Sequence, residues 1–177
     1  SAQLRWRVGH NRARNAVQAR LRLRRQCRGR DTVIANETQL KFGYPDTLIA
    51  EYDHWCVLVR AAQATLGAMV LVCKQEATSF SSISPAAFGE LGSVIGDIET
   101  ASKSFREWDK INYLMLMMVD PNVHFHVLPR YAEAQAFEDL AFEDAGWPGQ
   151  PDLAGGVKLS PEQIGQLVAA LKAVWPA

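Results

Sequence analysis

The chain has few cysteines and no long apolar run. Its 177 residues include three cysteines, Cys27, Cys56 and Cys73, which lie far apart and form no C-x-x-C pair. An odd, scattered set favours neither a disulfide framework nor a zinc site, so we expect buried free thiols in a reducing compartment. No apolar stretch approaches the roughly 20 residues of a membrane-spanning helix, and none near residue 1 is typical of a secretory signal. These features predict a soluble, cytoplasmic protein.

Acidic residues are missing from residues 1–30, which contain ten Arg, whereas the rest of the chain carries nine Lys or Arg against nineteen Asp or Glu. The formal net charge of zero therefore hides a basic segment followed by an acidic body. Such a segment buries little apolar surface by itself. Three interpretations stay open: an arm that binds a nucleic acid or a protein partner, the remnant of a signal for an organelle matrix, or an extension foreign to the natural domain.

The remaining length suits one domain, which we expect to begin near Asn36. The β-rich stretch from Thr47 to Val59 predicts a strand, and the run Ala68–Cys73 predicts a second. Gly67 is expected in the turn before the second strand. The two strands are predicted to pair antiparallel.

Two helices are predicted from caps and apolar spacing. Ser84-Pro85 begins a helix that should end near Phe105, with a core face formed by Phe88, Leu91, Ile95 and Ile98. Ser160-Pro161-Glu162-Gln163 is a capping box that begins a C-terminal helix. Between the helices, Ile111–Val119 predicts a strand covered on both faces, and Asp120-Pro121 separates it from one more strand.

That last strand, Asn122 to Leu128, carries the best candidates for chemistry. Side chains alternate along a strand, so Asn122, His124 and His126 should share one face, with Val123, Phe125 and Val127 on the other. Two imidazoles held this way could act as a nucleophile and a phosphate ligand near neutral pH. Inert histidines and an H-x-H metal site are the alternatives that the spacing leaves open.

The run His124-Phe125-His126-Val127-Leu128-Pro129-Arg130 resembles the end of the histidine triad (HIT) signature. The order of predicted elements is also similar to that family: a strand pair, a long helix, and two strands of which the last bears the histidines. The resemblance implies an α+β fold, with an antiparallel sheet of about five strands, a long packed helix and a C-terminal helix. The domain would span residues 36–177, with its core at about 44–131 and a C-terminal extension at 132–177. Residues 1–35 would be an extension that is flexible or foreign to the domain.

Carried over by position, the resemblance implies a site. His124 matches the histidine that attacks the α-phosphate, and His126 matches the one that holds it. Asn122 stands where a further His is usual, as in bacterial branches that carry Gln there. Asn112 resembles an Asn of the preceding strand in those branches, and Arg130 continues the signature as a phosphate contact. This chemistry requires no metal and no cofactor.

A second departure concerns the start of the second strand, where HIT enzymes commonly place a His that assists the leaving group. Gly67-Ala68-Met69 has none, and removal of a general acid typically lowers a rate by about 10² to 10⁴.

The resemblance thus implies a homodimeric nucleotide-binding protein. Such a protein would hydrolyse or transfer nucleoside phosphates, such as dinucleoside polyphosphates, through a nucleotidyl-histidine intermediate. The alternative is a weak or inactive HIT-like interaction subunit of a larger assembly.

Overall fold

The computed structural model describes residues 34–176, so the Arg-rich extension and Cys27 lie outside the described residues. The helices and strands, in chain order, are α1 (Glu37–Lys41), β1 (Leu48–Glu51), β2 (Trp55–Val59), β3 (Ala62–Gln63), β4 (Met69–Cys73), a 3₁₀ turn (Phe80–Ser82), α2 (Pro85–Phe105), β5 (Lys110–Leu114), β6 (His124–Arg130), β7 (Gln135–Phe137), β8 (Leu140–Phe142), β9 (Val157–Lys158) and α3 (Pro161–Ala173). Five strands form an antiparallel sheet in the order β1-β2-β4-β6-β5. The predicted α+β class and strand number are confirmed.

The stretch Thr47–Val59, predicted as one strand, is a hairpin of β1 and β2. The backbone N–H groups of Asp53 and His54 donate to the carboxylate of Glu90 in α2, which fixes the chain reversal between the strands. The predicted antiparallel pair is formed by β2 and β4, both fully buried. Gly67 lies in the predicted turn with a φ of 78°, which favours glycine because it has no Cβ.

Helix α2 begins and ends where predicted, and the Ser84 side chain accepts a hydrogen bond from the N–H of Ala87. Its buried face matches the predicted one in part. Phe88 is 41% exposed and Ile95 only half-buried, whereas the residues that pack into the core are Ala87, Val94, Ile98 and Ala101. Ile98 and the partly buried Leu91 pack in the core as predicted, whereas the prediction is wrong for Phe88 and Ile95.

Strand β5 is shorter and less buried than predicted. It ends at Leu114, and Met118 and Val119 are 95% and 78% exposed in the connection to β6. The predicted strand covered on both faces is therefore wrong for this segment. β5 lies at the edge of the sheet and pairs with β6 alone.

The two faces of the sheet have different partners. One face packs with α2 and with Leu167, Val168 and Leu171 of α3 in the main core. The other face presents Cys56, Leu58, Val70 and Val72 to the α1 region, through Phe42 and Tyr44. The α3 capping box is present as predicted. Among the described residues, no helix has the length and apolarity needed to cross a membrane.

Candidate functional site

His124 and His126 lie side by side on the α1 face of β6. Across the β4 pairing, Val72 is opposite His124 and Val70 is opposite His126. The two imidazole centroids are 5.1 Å apart in an edge-to-face arrangement. Val127 of the same strand packs in the main core on the opposite face, so the alternation expected from the sequence places both rings on one side.

The ring of His124 has a defined tautomer. Its Nδ1 lies 2.8 Å from the backbone carbonyl oxygen of Asn122, which can only accept a hydrogen bond, so Nδ1 carries the proton. In the neutral ring Nε2 is then the nitrogen without a proton, and it is buried with no hydrogen-bond partner among the described residues. A neutral imidazole nitrogen with a free lone pair can act as a nucleophile.

His126 is a neutral ring at physiological pH. Burial, the neighbouring His124 and the positive charge of Arg60 lower the pKa of His126 to about 4. Its Nδ1 is buried without a partner in the described part of the chain. The histidine pair thus has two buried ring nitrogens that lack a hydrogen-bond partner among the described residues.

Helix α1 and Phe42 cover the histidine pair. The Phe42 ring centroid lies 5.8 Å from that of His124 and 5.7 Å from that of His126. His124 is fully buried and His126 is 6% exposed. The sequence prediction did not include α1, although Asn36 and Gln39 form a capping box that could have revealed it. Entry of a ligand to Nε2 requires this cover to shift.

Asn122 anchors α1 to the sheet through its side chain. Its Oδ1 accepts from the Thr38 hydroxyl at 3.0 Å, and its Nδ2 donates to Glu76 at 3.3 Å. The Thr38 hydroxyl oxygen in turn accepts from the Asn122 backbone N–H. The predicted phosphate-side residue is thus placed beside His124, with its amide engaged by protein groups.

Arg130 and Asn112 are brought together by the β5–β6 pairing, in a cluster of their own. Arg130 forms a bidentate ion pair with Asp144 and donates to Asn112 Oδ1 at 2.8 Å and to the Gly149 carbonyl. All five N–H donors of the buried guanidinium are used, so a phosphate contact by Arg130 would require this cluster to open. Arg130 also lies four positions along the strand from His126, a distance of roughly 13 Å.

A cavity of about 600 Å³ lies beside Phe42. Its walls come from the α1–β1 turn, the end of β2 and the first turns of α3, and its lining includes Phe42, Thr47, Arg60, Ala62, Pro161 and Ile164. This volume is within the range of small-molecule sites. None of these residues was predicted as a site residue from the sequence, because they come together only through the packing of three distant segments.

Other chemistry-bearing groups are placed elsewhere or are inert. His54 lies in the β1–β2 turn, held by its backbone to Glu90. Cys56 and Cys73 are buried free thiols as predicted, and burial raises the pKa of Cys56 to about 11. Within residues 34–176, no group of three or more His, Cys, Asp or Glu side chains is gathered as a metal site. Ala68 lies at the start of the second predicted strand, where HIT enzymes commonly have a His, and it is fully buried beside Leu128.

No protein-family model matches the chain, and no curated protein matches its sequence. Solved structures do match. A histidine triad protein from Sinorhizobium meliloti has a TM-score of 0.64 and 17% identity over 82% of this chain and 99% of its own. A histidine triad protein from Bradyrhizobium japonicum has a TM-score of 0.60 and 19% identity over 80% and 98%. The diadenosine triphosphate hydrolase of Plasmodium falciparum has a TM-score of 0.55 and 9% identity over 73% and 76%. The described chain therefore has the fold of the histidine triad proteins.

Proposed function

We propose that this chain is a HIT-type protein of the bacterial branch in which Asn replaces the first histidine, and that it binds nucleoside phosphates at His124 and His126. It hydrolyses or transfers them slowly through a nucleotidyl-histidine intermediate. One observation carries the proposal: the hydrogen bond between His124 Nδ1 and the Asn122 carbonyl, which leaves Nε2 with a free lone pair. Similarity in fold to a diadenosine triphosphate hydrolase supports the substrate class.

In the proposed reaction, Nε2 of His124 attacks the α-phosphorus of the nucleotide. A P–N bond forms while the P–O bond to the leaving group breaks, and the leaving oxygen takes its proton from solvent. Water, or another acceptor, then attacks the same phosphorus and releases His124. The neutral ring of His126 contacts a phosphate oxygen, and Asn122 fixes the tautomer of His124 through its carbonyl.

The missing second-strand histidine limits the rate in this scheme. Ala68 supplies no general acid, so the leaving group departs without enzymatic protonation. Loss of such a group typically lowers a rate by about 10² to 10⁴. Slow turnover is therefore part of the proposal. Asn112 and Arg130 would reach a phosphate only if their cluster with Asp144 opened. We therefore propose that they contribute less to the binding of the substrate than His124 and His126 do.

The cavity beside Phe42 is proposed to receive the nucleoside. It lies next to the ring that contacts both histidines, and its lining is mainly apolar. An outward movement of Phe42 would join it to Nε2 of His124. Binding of the nucleotide would then require α1 and Phe42 to move away from the histidines.

The second candidate function is a weak or inactive interaction subunit that uses the same fold. The complete burial of His124 under α1, together with alanine at position 68, favours this candidate. Both candidates share the fold and differ in whether His124 becomes covalently modified. The Arg-rich extension would supply a contact to a nucleic acid or a protein partner in either case.

We also propose a cytoplasmic homodimer. The buried thiols of Cys56 and Cys73 suit a reducing compartment. Of the two sheet edges, that of β5 is favoured for dimerisation because exposed apolar side chains follow it directly, namely Leu116, Met118 and Val119.

The decisive experiment incubates wild-type protein and a His124→Ala variant with dinucleoside polyphosphates and nucleoside phosphoramidates. The matched control is His54→Ala, which removes an imidazole from the β1–β2 turn. We expect wild type and control to turn over a substrate and to accumulate a nucleotidyl adduct on brief incubation, detected by intact mass. The His124→Ala variant should lose at least about a thousandfold in rate and form no adduct.

Other results would decide against the enzyme. Equal turnover by wild type and His124→Ala would overturn the assignment of the nucleophile. Nucleotide binding without turnover or adduct would favour the interaction subunit. Absence of both binding and turnover would contradict the nucleotide-binding function.

A further inference from the structure

Arg60 is a cation on the cavity wall without a carboxylate partner. It follows β2 directly, and within the described residues no Asp or Glu lies within ion-pair distance of its guanidinium. Its terminal nitrogens donate to the backbone carbonyls of Ala62 and Leu153, and its Nε is buried without a hydrogen-bond partner. Burial lowers the pKa of Arg60, as expected for a charge that is partly removed from water and not neutralised. An anion in the cavity would relieve this cost.

The other charges of the cavity do not neutralise Arg60. Lys41 lines the same cavity and pairs with Asp120, while Asp46 is a lining carboxylate that forms no ion pair with Arg60. The rest of the lining is apolar or small. The cavity thus has an apolar surface that suits an aromatic ring. It also has one positive charge, that of Arg60, which the lining residues do not neutralise.

Arg60 is also electrostatically linked to the histidine site. The positive charge of Arg60 is one cause of the lowered pKa of His126, and the Arg60 backbone N–H donates to the carbonyl of Ala68, two residues before the Val70 that pairs with His126. Phe42 contacts both imidazoles and lines the cavity together with Arg60. A ligand that placed one phosphate at His124 and filled the cavity would bring its far end to Arg60. From this geometry we infer that Arg60 binds a second anionic group of the substrate, separate from the phosphate attacked by His124.

This inference rests on the proposed function and narrows its substrate class to nucleotides with two separated anionic centres. Guanidinium recognises phosphate and carboxylate alike, so the second group is a phosphate or a carboxylate carried by the nucleoside. A hydrogen bond to a charged partner in a partly buried site contributes about tenfold or more in affinity. Arg60 is then a specificity-determining residue.

The test measures binding of three ligands to the full chain by calorimetry. Adenosine 5′-monophosphate carries one anionic centre, adenosine 3′,5′-bisphosphate adds a second phosphate, and adenylosuccinate adds carboxylates. We expect at least one of the last two to bind wild type about tenfold or more tightly than the monophosphate. Arg60→Gln should abolish that preference while keeping the affinity for the monophosphate, which also shows that the variant is folded. Arg60→Lys should retain part of the preference, and Lys172→Gln, at the far end of α3, should retain all of it.

Two results would overturn the inference. If the monophosphate binds and neither ligand with a second anion binds more tightly, or if the preference survives in Arg60→Gln, the role of Arg60 is wrong while the proposed function stands. If none of the three ligands binds wild type, the proposed function fails and the inference fails with it.

Discussion

The backbone carbonyl oxygen of Asn122 accepts a hydrogen bond from Nδ1 of His124 over 2.8 Å. Every residue type presents such a carbonyl, so this bond does not depend on the side chain at position 122. The Asn122 amide has a different task, because it holds Thr38 of α1 against the sheet. Asn122 therefore orients His124 through its backbone and attaches the covering helix through its side chain.

The first prediction tests this attachment with Thr38→Val, which removes a buried hydroxyl that both donates to and accepts from Asn122. The free energy of unfolding in urea should fall by about 1–2 kcal/mol, since the buried Asn122 backbone N–H loses its acceptor and the side-chain oxygen loses one of its two donors. In a double-mutant cycle, Asn122→Ala should cost less in the Thr38→Val background than in wild type. Thr100→Val, an exposed position of α2, is the matched control. Strictly additive effects would show that the two side chains are not coupled.

The second prediction concerns stability against pH through His126. Its pKa is about 4 in the folded chain against an ordinary value of 6.5, so the unfolded chain binds the proton more tightly. The stability from the neutral, buried ring is complete above pH 6.5 and is lost as the pH falls from 6.5 towards 4. Between pH 7 and pH 5 this loss amounts to roughly 2 kcal/mol.

The measurement compares urea unfolding of wild type and His126→Gln at both pH values. Wild type should lose roughly 2 kcal/mol more than the variant over that interval. His54→Gln should behave like wild type. An identical pH dependence of wild type and His126→Gln would contradict the burial of a neutral His126.

The sequence predicts those features of the structure that depend on residues close together in the chain. Helix α2 and the alternation along β6 follow from caps and periodicity, so the prediction is correct to the residue at Ser84 and Phe105. The cover over the histidines is not local, because Phe42 reaches β6 only through the folding of the α1–β1 turn. The exposure of the residues that follow the edge strand β5 was also not predicted. An apolar run such as Leu116–Val119 indicates a core strand in sequence, and only the strand order places it in solvent.

The third prediction addresses Arg130, whose guanidinium and the Asp144 carboxylate are both buried. Arg130→Met or Asp144→Leu alone should cost about 3–5 kcal/mol in unfolding free energy, because each leaves a buried charge unpaired. The double variant should be more stable than either single one. Lys103→Met, which breaks an exposed pair with Glu107, is the control and should cost little. A large drop in nucleotide affinity for a folded Arg130→Met protein would instead support a direct phosphate contact.

The fourth prediction tests the proposed dimer edge with Met118→Lys. This side chain is 95% exposed in the connection that follows β5, so the change should leave the folded monomer intact. Sedimentation velocity should show a dimer for wild type and a monomer for the variant. Phe88→Lys, on the exposed side of α2, is the control and should remain dimeric. A monomeric wild type, or a dimer unaffected by Met118→Lys, would contradict dimerisation through this edge.

The last prediction tests whether Phe42 is the barrier between the cavity and His124. Phe42→Ala removes the ring that contacts both imidazoles, and the nearby cavity should then open towards Nε2. Diethyl pyrocarbonate should modify His124 several-fold faster than in wild type, because the reagent reaches the nitrogen without a movement of α1. Peptide mass analysis measures the modification. Phe80→Ala, which removes an aromatic ring from the other side of the sheet, should leave the rate unchanged. If Phe42→Ala stays folded and His124 is no more reactive, the barrier is the helix backbone of α1, and substrate entry then requires the whole segment to detach.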